Sequence, residues 1–247
     1  MVTIALYNLK GGVGKTASCV NFAWLAANDG YRTLIWDFDP QASTTFYYQA
    51  HPKIKGGMKK IINQEIDLED AIMNTNYENI DIIPADLSAR NIDILLGDMK
   101  SSRKRLKSIL ESLEEEYDFV FIDCPPGVSV LSENIFIASD IVLMPTIPTT
   151  LSVRTYQIVK EYFTEKKLDI SKLMCFFTMV DGRKTMHHEI MKALHKDNRF
   201  FWNYIPYLSD VEKMGIHQAP LHEFAPSSHA AQSYSDLWEE IKEGVLE

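Results

Sequence analysis

Cysteine is scarce in this chain of 247 residues and is poorly placed for thiol chemistry. Cys19, Cys124 and Cys175 are widely spaced, odd in number and form no C-x-x-C pair, so neither a disulfide framework nor a zinc site is suggested. A reducing cytoplasm is the expected location. Long hydrophobic runs are missing too: no apolar stretch approaches membrane-spanning length and no basic-then-apolar leader opens the chain, so a soluble protein is expected. No Pro/Gly/Ser-rich linker, low-complexity tract or internal repeat divides residues 1–247, and a single α/β domain is the simplest organisation. Positive charge is in deficit. A net charge of −9 argues against a protein that coats itself in nucleic acid, so any DNA contact must come from a local patch. Three clusters qualify: Lys53, Lys55, Lys59 and Lys60; Arg103, Lys104, Arg105 and Lys107; and Arg183, Lys184, His187 and His188. Each such cluster is, more often than not, simply a solvated face.

What the chain does have is a glycine loop in the right setting. The apolar run VTIALY (2–7) reads as a strand, and a helical pattern begins near Ser18. Between them stands LKGGVGKTA (9–17). Glycines permit the tight bend that turns the N–H groups of Gly11, Gly12, Val13 and Gly14 inward, where phosphate oxygens can sit at the positive end of the following helix. Lys15 is placed to reach the β/γ-phosphates and the Thr16 hydroxyl to ligate Mg²⁺.

The ordinary G-x-x-x-x-G-K-[ST] spacing fails, because position 9 is Leu9 rather than glycine. The loop K-G-G-V-G-K-T instead resembles the deviant Walker A loop of the ParA/MinD family of ATPases. That resemblance implies a P-loop fold, ATP and Mg²⁺ as cofactors, and an ATP-dependent homodimer in which Lys10 reaches the nucleotide of the other subunit. Lys10, Lys15 and Asp39 are then the expected catalytic set. Ala17 stands where many relatives have a second threonine; its N–H can still donate to phosphate.

Two further motifs follow in order. TLIWD (33–37) reads as a strand and runs into D-F-D-P-Q, which places Asp37 and Asp39 outside the carboxyl end of a strand, where ligands bind in open parallel sheets. By the resemblance Asp39 orients or activates the attacking water, and Asp37 lies near the metal. After an amphipathic pattern at 106, 109, 110 and 113, the buried strand FVFID ends in Asp123, the Walker B candidate for Mg²⁺. Cys124-Pro125-Pro126-Gly127 looks like the loop that senses the γ-phosphate.

Further strands are predicted at 80–83, 141–144, 172–179 and 200–206, with helices at about 151–166 and 185–196. The expectation is a mostly parallel sheet of roughly seven strands with helices on both faces. The resemblance continues through MPTIPTTLSVR, FTMVDGR and IPYLSDVEKMGIHQAP, and it puts the adenine against Met179, Asp181 and Pro206. DNA contact is expected first at Arg183 and Lys184. Tyr207-Leu208-Ser209-Asp210 departs from the arginines that several chromosome-segregating relatives carry after the IP motif, and Asp210 would repel phosphate.

Three functions are compatible. A partition or positioning ATPase would bind DNA non-specifically in its ATP state, associate with the nucleoid, and be released by hydrolysis that a ParB-like or cargo-adaptor protein stimulates. A MinD-like membrane ATPase would need a basic amphipathic helix, whereas SDLWEEIKEGVLE is acidic. An iron–sulfur or metal-chaperone ATPase would need paired cysteines at a dimer interface, and Cys124 stands alone. The DPQ element favours a switch over a small-molecule kinase. His187 and His188 diverge by about 100° on a helix and do not form a metal site.

Overall fold

Runs such as VTIAL and FVFID are apolar at nearly every position, so they are stable only where both faces are covered, as in the interior of a parallel sheet. A computed structural model describes residues 1–53, 55–100 and 102–246. Its strands are β1 (Val2–Leu6), β2 (Thr33–Asp37), β3 (Met73–Asn74), β4 (Ile80–Ile83), β5 (Phe119–Asp123), β6 (Ile141–Thr146), β7 (Leu173–Val180) and β8 (Phe200–Pro206). They form one sheet in the order β3-β4-β2-β5-β1-β6-β7-β8. All neighbours are parallel except β3 and β4. The seven expected strands are present, and the expected count is corrected to eight by β3. Two residues carry no periodicity, and pairing to β4 alone makes them a strand.

The helices are α1 (Lys15–Asn28), α2 (Ser43–Tyr47), α3 (Gly57–Asn63), α4 (Ile92–Asp98), α5 (Arg105–Leu110), α6 (Val130–Ala138), α7 (Thr150–Glu165), α8 (Thr185–Leu194), α9 (Ser209–His217), α10 (Leu221–Phe224) and α11 (His229–Leu246). One face of the sheet packs Val120 and Ile122 under Met58, Leu106, Ile135, Val159 and Met191 from α3 and α5 to α8. The other packs Phe119 and Phe121 under α1 and α11. There Trp238 meets Phe119 edge to face at 5.4 Å, and burying such a side chain contributes about 1.5–3 kcal/mol. Helix α1 is buried nearly all round because it is wedged between the sheet and α11.

The register fixes what meets at the carboxyl edge. Asp123 closes β5 beside Leu6 on one side and Asp37 on the other. The chain leaves β1 there to form the glycine loop, so loop and both carboxylates share one edge of the sheet. This is the crevice in which open α/β sheets hold ligands.

Candidate nucleotide site

Asn8 sets the entry to the loop. Its side chain is buried, donates to the Pro145 carbonyl at 2.7 Å and accepts the Lys10 N–H at 2.9 Å. Val13 anchors the loop from below, being 3 % exposed. Gly12 and Gly14 have φ of 71° and 90°, which residues with a Cβ adopt only at a cost. At Gly14 a Cβ would also come within 3.2 Å of Thr178 Oγ1. Helix α1 starts at Lys15, three residues before the pattern near Ser18 suggested, since a periodic signal needs apolar residues and the first turn holds none on the sheet side. Gly14 is its N-cap and supplies no side-chain cap, so the first-turn N–H groups face the cleft as donors for an anion.

The side chains of the loop are held in place. Lys15 is 6 % exposed and curls over the loop to donate to the Lys10 carbonyl at 3.3 Å. The Thr16 hydroxyl donates to Asp123 Oδ2 at 2.8 Å. The Thr44 hydroxyl, from α2, donates to the same oxygen at 2.8 Å. Asp123 Oδ1 is buried and has no hydrogen-bond partner among the described residues. Next to it, Asp37 spends both oxygens on its own loop. Oδ2 accepts the Thr45 N–H and hydroxyl at 2.9 and 2.7 Å, and Oδ1 accepts the Asp39 N–H at 3.0 Å. Asp37 therefore shapes the D-F-D-P-Q turn, and Asp123 is the carboxylate with an oxygen to spare.

Two fully buried carboxylates side by side are costly when ionised. Burial raises the Asp37 pKa well above the ordinary carboxylate range, and the neighbouring Asp123 raises it further, against the opposing bonds from Thr45 and Asp39. Burial also raises Asp123, offset by the hydroxyls of Thr44 and Thr16 and by the Lys15 charge. An unpartnered buried oxygen, a hydroxyl beside it and excess negative charge are what a hard, oxygen-seeking divalent cation requires. The residues present fit Mg²⁺.

A cleft of about 570 Å³ opens over these groups. It is lined by Gly11, Gly12, Gly14, Lys15, Thr16 and Ala17 of the loop, Asp39, Pro40, Gln41 and Ser43 of the next, and Pro125 and Pro126 after β5. Its volume suits a nucleotide. Asp39, whose carboxylate accepts the Gln41 N–H and no other donor among the described residues, faces the glycine loop across it. Lys10 is partly exposed, lies outside the lining and forms no ion pair among the described residues.

The later strands contribute less than expected. Met179, Asp181 and Pro206 sit at the carboxyl ends of β7 and β8 but do not line the cleft. Asp181 is committed to Arg183, which grips it with two bonds of 2.9 Å and holds its carboxyl far below the usual range. Lys184 lies 3.9 Å from the same carboxylate. The expected DNA-contact pair thus shares one carboxylate, which offsets one of its two charges. His187 is buried and accepts the Asp181 N–H, while His188 is exposed. Among the described residues no cluster of three metal-ligating side chains occurs, and no helix is long and apolar enough to cross a membrane.

Sequence reading missed Asn8, Thr44, Thr45 and Thr178. The paired threonines after DPQ were visible, but nothing local says that successive hydroxyls on α2 reach two different strands.

An AAA domain family profile matches residues 1–172. The sporulation initiation inhibitor protein Soj of Bacillus subtilis is 29 % identical over 248 residues, covering 96 % of this chain and 97 % of Soj. A plasmid partition protein of Borrelia burgdorferi superposes with a TM-score of 0.80 at 22 % identity, covering 99 % of both chains. McdA of Cyanothece in complex with ATP superposes with a TM-score of 0.84 at 20 % identity, covering 98 % of this chain and 96 % of that one.

Proposed function

This chain belongs to the AAA domain family, on its ParA/MinD side, and from that premise we propose that it is an ATP-driven partition or positioning switch acting as one unit over residues 1–247. The observation that carries the reading is the Thr16–Asp123 pair, 2.8 Å apart at the foot of the glycine loop, with Asp39 facing it across the cleft. Phosphate oxygens are received by the N–H groups from Gly11 to Ala17 and by Lys15. Asp123 and the Thr16 hydroxyl would hold Mg²⁺, which when bound neutralises charge on the phosphates. Asp39 orients water for attack on the terminal phosphate. Met179, Asp181 and Pro206 are proposed to border the base, which must extend beyond the cleft toward β7 and β8.

Two copies close face to face over ATP, each lending Lys10 to the other's triphosphate. Lys10 is suited to this because its ammonium forms no ion pair among the described residues. The ATP-bound dimer binds DNA without regard to sequence, and a ParB-like or cargo-adaptor protein releases it by stimulating hydrolysis. The likeness to the plasmid partition protein supports the partition reading, and the likeness to McdA in complex with ATP supports ATP as the nucleotide. The MinD-like alternative gains nothing from α11, whose Leu237, Trp238 and Ile241 are already buried in the core.

The test is Asp39→Ala. It is expected to retain ATP with Mg²⁺, lose turnover by at least a hundredfold, and accumulate as a DNA-bound dimer. Undiminished turnover, alone or with a stimulating partner, would remove Asp39 from the mechanism and the switch with it.

A further inference from the structure

Positive charge in this chain is segregated. Residues 51–62, 87–92 and 99–110 contain ten of the 25 lysines and arginines and not one aspartate or glutamate, leaving 15 cations against all 34 acids elsewhere. The fold joins these stretches. The Lys59 N–H donates to Ser88 Oγ at 3.2 Å, tying α3 to the 3-10 turn Leu87–Asn91. Arg105 of α5 donates to the Ile62 carbonyl at 2.7 Å and to Gln64 Oε1 at 2.9 Å, tying α5 to the end of α3. Because Met58, Ile61, Ile62, Leu106, Ile109 and Leu110 face the core, the lysines of both helices are turned outward.

Most of that charge is uncommitted. Arg103 is spent on Glu133, and Arg105 holds the two helices together. Lys55, Lys59, Arg90, Lys100, Lys104 and Lys107 are exposed and form no ion pair among the described residues. By contrast, the cations at 183 and 184 share the Asp181 carboxylate.

We propose that the α3–α5 face, and not the Arg183–Lys184 turn, is where this protein contacts the phosphate backbone of duplex DNA. The proposal rests on the DNA-binding reading above and names its surface. The lysines and arginines of this face outnumber the acids set among them, Asp86, Asp93 and Asp98, and such an excess of flexible cations suits a polyanion of regular charge spacing, read without sequence. A folded protein partner would need an apolar anchor and a pocket. Among the described residues of these stretches Leu87 is the only large apolar side chain that is exposed, at 73 %, and the cleft beside Lys53 and Met58 measures only about 10 Å³. Joining two such faces in an ATP-bound dimer doubles the contacts and makes binding depend on nucleotide, even though the patch is far from the γ-phosphate in sequence.

The experiment measures binding of the full-length protein to a fluorescent mixed-sequence duplex, with ATP and Mg²⁺, over a salt series. Two variants are compared with wild type: Lys55→Gln/Lys59→Gln/Lys104→Gln/Lys107→Gln, and Arg183→Gln/Lys184→Gln. The lysine variant is expected to bind at least tenfold more weakly, with a log–log salt slope shallower by about 0.9 for each lost phosphate contact, and to hydrolyse ATP at the wild-type basal rate without DNA. The Arg183/Lys184 variant is expected to bind as wild type does. Wild-type affinity and slope in the lysine variant overturn the proposal while leaving DNA binding itself intact. So does loss of binding to poly-glutamate with DNA binding retained, which would assign the face to an acidic protein. If wild type binds DNA in no nucleotide state, the DNA reading itself falls, a result told apart by the wild-type control alone.

Discussion

Thr44 and Asp123 lie 79 residues apart, yet the Thr44 hydroxyl donates to Asp123 Oδ2 at 2.8 Å with both side chains fully buried. The next residue, Thr45, binds Asp37 and also accepts the Ala85 N–H at 2.9 Å. Helix α2 therefore reports on two neighbouring strand ends at once. Hydrogen bonds through α2 thereby link Asp123, Asp37 and the segment after β4.

Thr44→Val tests this positioning role. One of two hydroxyls supporting a buried carboxylate is lost, which costs about 1.5–3 kcal/mol for a bond to a charged group. The Thr44 hydroxyl lowers the Asp123 pKa, so its removal makes Asp123 ionise at higher pH. The acid limb of the ATPase pH profile is expected to move to more alkaline pH, and Thr44→Ser to restore it. A fall in rate with an unmoved profile would reduce Thr44 to packing.

A second prediction concerns stability without metal. The pKa values of Asp37 and Asp123 are raised by folding, so their contribution to stability is fully present below the ordinary carboxylate range and is lost as pH rises through the raised values. Asp123→Asn removes one of the two charges and frees Asp37 from its repulsion. With a chelator present, the melting temperature of the variant relative to wild type is expected to climb between pH 5 and pH 8, by the equivalent of about 1–3 kcal/mol. Taking the difference between the two proteins cancels the opposite contribution of carboxyls such as Asp181 and Asp197, which folding lowers. A difference that stays level across this range would mean that the pair ionises without mutual cost. The same variant is expected to lose any Mg²⁺-dependent gain in melting temperature.

Lys10 should be dispensable for gripping a nucleotide and required for what the nucleotide triggers. Within one subunit the loop N–H groups, Lys15 and Thr16 already serve the triphosphate, so Lys10→Ala is expected to bind ATP with modest change. A lysine entering a partner's site can couple at about 3 kcal/mol, more than a hundredfold in association. Lys10→Ala should therefore remain monomeric with ATP by sedimentation or light scattering, and lose ATP-dependent DNA binding and stimulated hydrolysis together. Dimerisation at wild-type affinity would leave Lys10 a surface charge beside the loop.

The sequence by itself determined the strand–loop–helix unit, the order of the three motifs and the mostly parallel sheet. It could do so because each is set within a few residues: glycine at positive φ, a lysine and threonine opening a helix, an acid closing an apolar strand. It did not determine what those acids do. Asp123 is expected to hold Mg²⁺ and Asp37 to lie near it by resemblance alone; it is the arrival of Thr45 at one and of Thr16 and Thr44 at the other that leaves Asp123 with the free oxygen. Of the three basic clusters, Arg183 and Lys184 are the first expected from sequence, with Asp181 only two and three residues before them; that the other two merge on α3 and α5 is decided by the fold. The physical reason is the same for Asp123 and for the joining of α3 to α5. Backbone conformation and periodicity are local properties, whereas the charge a side chain presents depends on partners brought in by packing from tens of residues away, and nothing in a local pattern encodes which partner arrives.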